Sequence, residues 1–249
     1  MLRATVKLCC GIAHDHLRGL PGARPTAEGD LGPGQLSSLD LSYVSQGERA
    51  LRRALGILQQ HDSWQAETML DAGAAVSSAA LPGLGRVFRA EAVLSVPAAR
   101  LQRELFEDIE RMPEWYPALS HVKVLRRVGQ DTLLTHEVTA RGAGRLAGPR
   151  DFVSVRHRGA AGAARYLVGT ASGGQRPPPR RGCVRAEARL SCIVLQPLPG
   201  DPGRTRFTWL LCVDLKGWIP ASVLRRVLPQ CQADFIGHLR RRLSAAARP

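Results

Sequence analysis

Apolar positions at the start of the chain fall at helical spacing. Leu2, Val6, Cys9, Ala13, Leu17 and Leu20 recur every three to four residues, with Arg3, Lys7, His14 and Arg18 mostly on the other side. Residues 21–34 are rich in Gly and Pro and poor in apolar side chains, which predicts a linker. A folded domain then begins near Ser37, with Leu51, Leu55 and Leu58 as a helical stripe that ends before His61. After a Gly/Ala-rich passage, RVFRAEAVLSV predicts a strand. Pro97 follows where the first turn of a helix accepts it, and Leu101, Leu105, Ile109 and Met112 give that helix its apolar face.

From Val122 the period changes to two. HVKVLRRV and DTLLTHEVTA flank Gly129-Gln130, RDFVSVRHR and RYLVGTAS flank a Gly/Ala turn, and GCVRAEARLSCIVLQPL and RTRFTWLLCVDL flank the segment from Pro199 to Gly203. Successive hairpins with short connections predict an antiparallel sheet. The chain closes on PASVLRRVLPQCQADFIGHLRRRL, where Leu224, Val227 or Leu228, Cys231, Phe235, Leu239 and Leu243 form a helical stripe. Pro229 interrupts it, so the helix either kinks there or packs well only from there onward. The pattern predicts an α+β architecture with helices segregated from one curved antiparallel sheet, and a long C-terminal helix enclosing a cavity against that sheet.

Composition changes this picture little. With 249 residues and 44% hydrophobic content the chain can build a proper core, and no apolar run reaches the length of about 20 residues that a membrane-spanning helix needs. The net charge of +14 points first to polyanions. Lys occurs only at positions 7, 123 and 216, so 32 of the 35 basic residues are Arg in a chain rich in Ala, Gly and Pro, a bias that GC-rich codons share. Aromatic content of 5% leaves little to interleave with basic residues, and no nucleic-acid partner is expected. Residues 1–24 carry +3 and residues 225–248 carry +5. A basic, acid-poor, amphipathic N-terminus has the composition of a mitochondrial presequence, although it lacks serine; an ordinary first helix is the other reading. The six cysteines show no paired spacing and read as buried free thiols in a reducing compartment.

Few motifs carry chemistry. Gly142 to Ala147 matches a dinucleotide-binding pattern, but Gly148 and Pro149 stand where its helix should start. The segment from Gly169 to Gly173 is one residue off a nucleophile elbow, with no helix after it. The histidines are scattered, so no metal and no cofactor are expected. Arg176 to Arg181 reads as a basic connecting loop. Two strand charges stand apart: Glu137 shares a face with Thr135 and Thr139, and Arg156 shares one with Phe152 and Ser154. An exposed cross-strand pair and a polar anchor inside a cavity both fit this parity.

The combination of LCCG near the start, SQGERALRRALGIL, GRVFRAE, THEV, GPRDFVSVR, VRAE, TWLLCVDLKGWIP and DFIGHLRRRL resembles the mitochondrial members of the START lipid-transfer domains. The likeness runs from about Leu39 to Leu243. It implies a START helix-grip fold, a curved antiparallel sheet around a hydrophobic tunnel closed by the C-terminal helix. Residues 1–34 would be the mitochondrial targeting segment and linker, and residues 35–249 the lipid-binding domain. The implied function is non-enzymatic: binding cholesterol and promoting its transfer from the outer to the inner mitochondrial membrane for steroid synthesis, by a monomer that meets the outer-membrane surface and the import machinery. Glu137 and Arg156 fall on the family's charged pair inside the tunnel, Phe235, Leu239 and Leu243 on the helix that covers it, and Arg150 in a gating loop from Gly144 to Arg150 beside its mouth. Gln196 stands where a relative carries histidine, which implies a changed polar contact near the tunnel. Residues 160–163 replace an Arg-Arg-Gly-Ser kinase site.

Overall fold

A computed structural model of the chain describes residues 36–60, 64–70, 74–142, 148–174, 176–217 and 219–245. The amphipathic segment at residues 2–20, the linker at 21–34 and residues 144–147 of the expected gating loop lie outside them.

Helix α1 (Ser38–Leu58) starts at a capping box: Asp40 N–H donates to Ser37 Oγ at 3.1 Å and Ser37 N–H to Asp40 Oδ2 at 3.2 Å. Arg126 donates to Asp40 Oδ2 at 2.9 Å and ties the helix start to the sheet. The buried stripe is Asp40, Tyr43, Gly47, Ala50, Ala54 and Ile57, and Leu51, Leu55 and Leu58 flank it rather than form it. Small residues face the sheet because helix and sheet lie very close. A Cβ on Gly47 would come within 2.4 Å of His157 Cβ, and one on Gly159 within 2.7 Å of Leu51 Cδ2.

Strands β1 (Gln65–Leu70), β2 (Ala74–Leu81) and β3 (Gly85–Leu94) come next. The first two were not legible as strands: β2 is rich in Ala and Ser, which have weak β preference, and becomes strand by pairing with β3, while β1 in turn pairs with β2. Helix α2 (Ala98–Gln102) widens into a π turn over 103–107 and tightens over 109–111 before α3 (Met112–Trp115). The widening explains how Leu101, Leu105, Ile109 and Met112 are all buried: steps of four residues drift around an α-helix and are taken up by a π turn.

Strands β4 (Leu119–Val128), β5 (Thr132–Thr139), β6 (Arg150–Ala161), β7 (Ala164–Ala171), β8 (Val184–Arg185), β9 (Glu187–Leu198) and β10 (Asp201–Asp214) complete the sheet, and α4 (Ala221–Ala245) closes the described chain. The strand order is β1-β2-β3-β10-β9-β7-β6-β5-β4, antiparallel along this path. Only β8 departs from it among the described strands, pairing parallel with the start of β6. Asp151, fully buried, holds this extra strand. It accepts two bonds from Arg185 at 3.0 and 2.9 Å, one from Arg180 N–H at 3.1 Å, and lies 3.0 Å from His136 Nε2.

One face of the sheet is covered by α1, with Val87, Val168, Leu190, Cys192, Leu210 and Cys212 beneath its C-terminal half. The other packs on α2, α3 and α4 in the main core, where Ala74, Ala90 and Ala92 stand with Phe235, Ile236, Leu239 and Leu243. Helix α4 runs through Pro229. Its residues from 221 to 227 are exposed or half-buried, and a periodic buried face begins at Leu228. Cys192 and Cys212 are buried thiols, while Cys183 and Cys231 are half-buried.

Gly47→Ala gains about 1 kcal/mol in helix propensity but forces α1 off His157, at a cost of about 1–3 kcal/mol. A lowered denaturation midpoint is expected, whereas Gly56→Ala, with open space around it, should raise the midpoint. Burial works against ionisation of Asp151, but the bonds from Arg185, Arg180 and His136 outweigh it and hold the carboxyl below its ordinary value of 3.8. Its contribution to stability is therefore complete above that value and is lost as pH falls through the lower, folded one. Asp151→Ala should cost about 3–5 kcal/mol at neutral pH and flatten the acid limb of a stability-against-pH curve.

Candidate functional site

The concave face carries an ion pair amid apolar neighbours. Arg156 donates through Nε to Glu137 Oε1 at 3.0 Å and through Nη2 to Oε2 at 2.7 Å, a bidentate fork. Thr135 Oγ1 supports the carboxylate at 2.9 Å. Register places the two on one face but four residues apart, Glu137 opposite Phe152 and Arg156 opposite Leu133 with Thr135 and Ser154 between, and their long side chains span the gap. Leu133 belongs to the core under α4, whereas Val153 and Val155, of opposite parity, pack on the α1 side with Tyr43. The pair thus stands on the α4 side. Its side chains keep 21% and 12% of their exposure, so an accessible space adjoins them. Arg156 Nη1 makes no hydrogen bond to another described residue.

The cross-strand row through Arg156 continues over Gly169 to Ser191. Ser191 Oγ accepts from Trp209 Nε1 at 3.0 Å, and Trp209 O accepts from Gln232 Nε2 of α4 at 3.0 Å. Polar contacts thus lead from Ser191 through Trp209 to the closing helix, while Gly169 separates Ser191 from Arg156 in that row. Gln232 is completely buried, and its Oε1 and Trp115 Nε1 have no hydrogen-bond partner among the described residues. The helical stripe read from leucines and aromatics passed over Gln232 because its amide is polar.

Phe235 is the hub of the closing helix. Its ring lies 4.9 Å from Trp209, 5.1 Å from Tyr116 in an edge-to-face contact, 5.6 Å from Trp115 and 6.5 Å from Phe207. Leu239 and Leu243 continue the contact into the core. A cavity of about 970 Å³ opens alongside α4, lined by residues that include Tyr116, Pro117, Arg141, Val223, Val227, Cys231 and His238. Glu137, Arg156, Phe235, Leu239 and Leu243 are not in its lining; Tyr116, shared by the cavity and the Phe235 cluster, joins the two regions. Burial raises Tyr116 above the ordinary phenol value and pushes the Cys231 thiol up to about 11, so both stay neutral at physiological pH.

Arg150, the first residue of β6, is buried and donates to Leu215 O at 3.3 Å and to Gly148 O at 2.7 Å. It braces the end of β10 against the segment before β6. Across that brace, Asp214 accepts Lys216 Nζ at 2.9 Å, the Lys216 N–H at 3.0 Å and Arg189 at 2.9 Å, which hold its carboxyl down at about 2. Lys216 has a left-handed φ of 52°, a strained conformation that those bonds retain. Gln196 is exposed, on the face of β9 opposite Leu195, so it makes no contact with the interior. No three potential metal ligands converge among the described residues, and no described helix is long and apolar enough to cross a membrane.

A curved sheet gripping a long helix over a lightly polar interior defines a lipid-binding domain. The START domain family matches residues 46–248, and the chain belongs to that family. Its relatives include the mitochondrial steroidogenic acute regulatory proteins of Ovis aries, 42% identical over 98% of this chain and 97% of the relative, and of Homo sapiens, 41% identical over 98% and 97%. Among solved structures, human StAR-related lipid transfer protein 5 superposes with a TM-score of 0.72 at 18% identity, covering 81% of this chain and 96% of that one.

The pair offers a direct test of whether it serves stability. Glu137→Leu leaves Arg156 without its partner and should cost about 1–3 kcal/mol. The double variant Glu137→Leu/Arg156→Met should return to within about 1 kcal/mol of wild type in urea unfolding, because a buried ion pair and a well-packed apolar pair are close in net energy.

Proposed function

We propose that the chain is a non-enzymatic carrier that binds cholesterol and promotes its transfer from the outer to the inner mitochondrial membrane, supplying steroid synthesis. The Glu137–Arg156 pair carries this reading. A charge pair that an apolar replacement would match in stability, with one guanidinium amino group unengaged on an apolar face, suits a ligand with one hydroxyl and an apolar body. The names of the relatives, steroidogenic and mitochondrial, support the cargo and the compartment.

At about 0.3 kcal/mol per heavy atom, a sterol of about 28 heavy atoms gains roughly 8 kcal/mol, an affinity near micromolar. That is weak enough for release. Leaving the hydroxyl unpaired costs about 1–3 kcal/mol, so one anchor at Arg156 sets head from tail. Phe235, Leu239 and Leu243 cover the sterol, and Arg150 braces the gating loop. Loading requires α4 and the gating loop from Gly144 to Arg150 to open together at the outer-membrane surface. The six Arg between residues 225 and 248, against one Asp, attract that helix to anionic lipid. Residues 1–34 act as import signal and linker, engaging the import machinery, and residues 35–249 as the lipid-binding domain of a monomer.

The full chain should bind fluorescent sterol with micromolar affinity, and Arg156→Leu should weaken it about tenfold or more. Tight phospholipid binding without sterol binding would overturn the assignment. An engineered disulfide joining α4 to β3 should abolish transfer between vesicles until it is reduced; transfer by the oxidised form would exclude the lid motion.

A further inference from the structure

On the face of the sheet away from α4, a second concavity of about 610 Å³ lies between α1 and strands β7 and β9. Arg49 and Arg53 of α1 and Arg189 of β9 line it with the hydroxyl side chains of Ser42 and Thr170, and no acidic residue is in the lining. Its wall includes Leu190, which is buried, so the groove runs in behind the helix. None of these residues belongs to the lipid site.

Local structure leaves the two α1 cations uncompensated. Arg49 donates to Ser45 Oγ at 2.6 Å and Arg53 to Gly83 O at 3.3 Å, both neutral acceptors, and neither has a carboxylate partner among the described residues. Arg189 is engaged, with Asp214 at 2.9 Å and Leu84 O at 3.2 Å, and Lys216 on the same Asp214 oxygen is balanced by Glu187 at 3.1 Å, so the surplus charge of the groove lies on Arg49 and Arg53. The two acids of α1 are engaged elsewhere, Asp40 with Arg126 at 2.9 Å and Glu48 with Arg52 at 4.0 Å. Arg49 and Arg53 are one helical turn apart, a spacing at which like charges repel. The fields of Arg53 and Arg189 also converge: burial raises the Cys212 thiol, and both arginines pull it back. A helix that places two unpaired guanidinium groups beside a third is poorly arranged for stability and well arranged for an anion.

We propose that this groove binds a soluble phosphate ester of nucleotide size carrying two or more negative charges. Guanidinium forks match phosphate oxygens two by two, and hydroxyl donors at the rim complete such a site. The volume falls within the range of small-ligand pockets, about 300–1,000 Å³. A headgroup still in a bilayer would have to enter behind α1, which favours a free ligand over a membrane.

The test titrates the full chain with inorganic pyrophosphate and with adenosine diphosphate at about 0.15 M salt, where unspecific attraction between exposed charges is screened. Saturable one-to-one binding is expected. Arg49→Ala and Arg53→Ala should each weaken it about tenfold or more, since each removes a charge-assisted hydrogen bond. Arg52→Ala removes the same charge one residue away, from a side chain paired with Glu48, and should leave affinity unchanged. Arg49→Lys/Arg53→Lys keeps the charge and the helix but loses the forks, and should bind at least tenfold more weakly, with sterol binding and circular dichroism as for wild type. The proposal is overturned by the absence of saturable binding to either probe, by an equal loss in Arg52→Ala, or by Arg49- and Arg53-dependent binding to phosphatidylserine vesicles without binding to the soluble probes.

Discussion

A single large sheet has two faces to cover, and in this protein each face receives one long helix at close range. Residue size along both contacts follows from that constraint. On the α1 side the helix presents Tyr43, Gly47, Ala50 and Ala54, and the sheet answers with the His157 side chain and Gly159. On the α4 side the sheet recedes instead, with Ala74, Ala90 and Ala92 beneath Phe235 and Leu239. The α1 contact is interlocked at Gly47, while the α4 contact combines an aromatic and aliphatic surface with polar bonds from Gln232 to Trp209 O and from Arg242 to Glu104.

The interior polar groups fit the same division. An ion pair in apolar surroundings contributes little net stability, because desolvation cancels most of the Coulombic gain. Glu137 and Arg156 nevertheless stand on the concave face with some residual exposure, linked by register through Ser191 and Trp209 toward Gln232 on the closing helix. Ser191, Trp209 and Gln232 thus link the sheet to α4 beside that pair. Charge elsewhere is handled differently. Asp151 is buried with three partners and anchors a connecting segment, which makes it a structural group.

How much of this was legible in the chain depended on the kind of interaction. The run of hairpins from β4 to β10 followed from period two and from turn residues, both local. The closing helix and the start of its well-packed part at Leu228-Pro229 followed from the apolar stripe and from the cost of an interior proline. Strands β1 and β2 were not readable, since the Ala and Ser residues of β2 become strand only when β3 pairs with them and β1 then adds to β2. The stripe of α1 was read from its leucines, but close packing selected glycine and alanine for the interface. Gln196 was placed near the interior by likeness to relatives, and strand parity puts it outside.

By itself, the sequence determined the periodicities, the breaks between elements, the two basic ends and the family to which the chain belongs, because these depend on neighbours a few residues apart or on whole-chain similarity. Tertiary structure made the contact between Glu137 and Arg156 that likeness to the family implied, and it alone brought Tyr116 against Phe235 and Arg49, Arg53 and Arg189 to one groove. Parity says which strand residues share a face but not which face is buried. That choice is made only when two helices, far apart in the chain, take opposite sides of the same sheet.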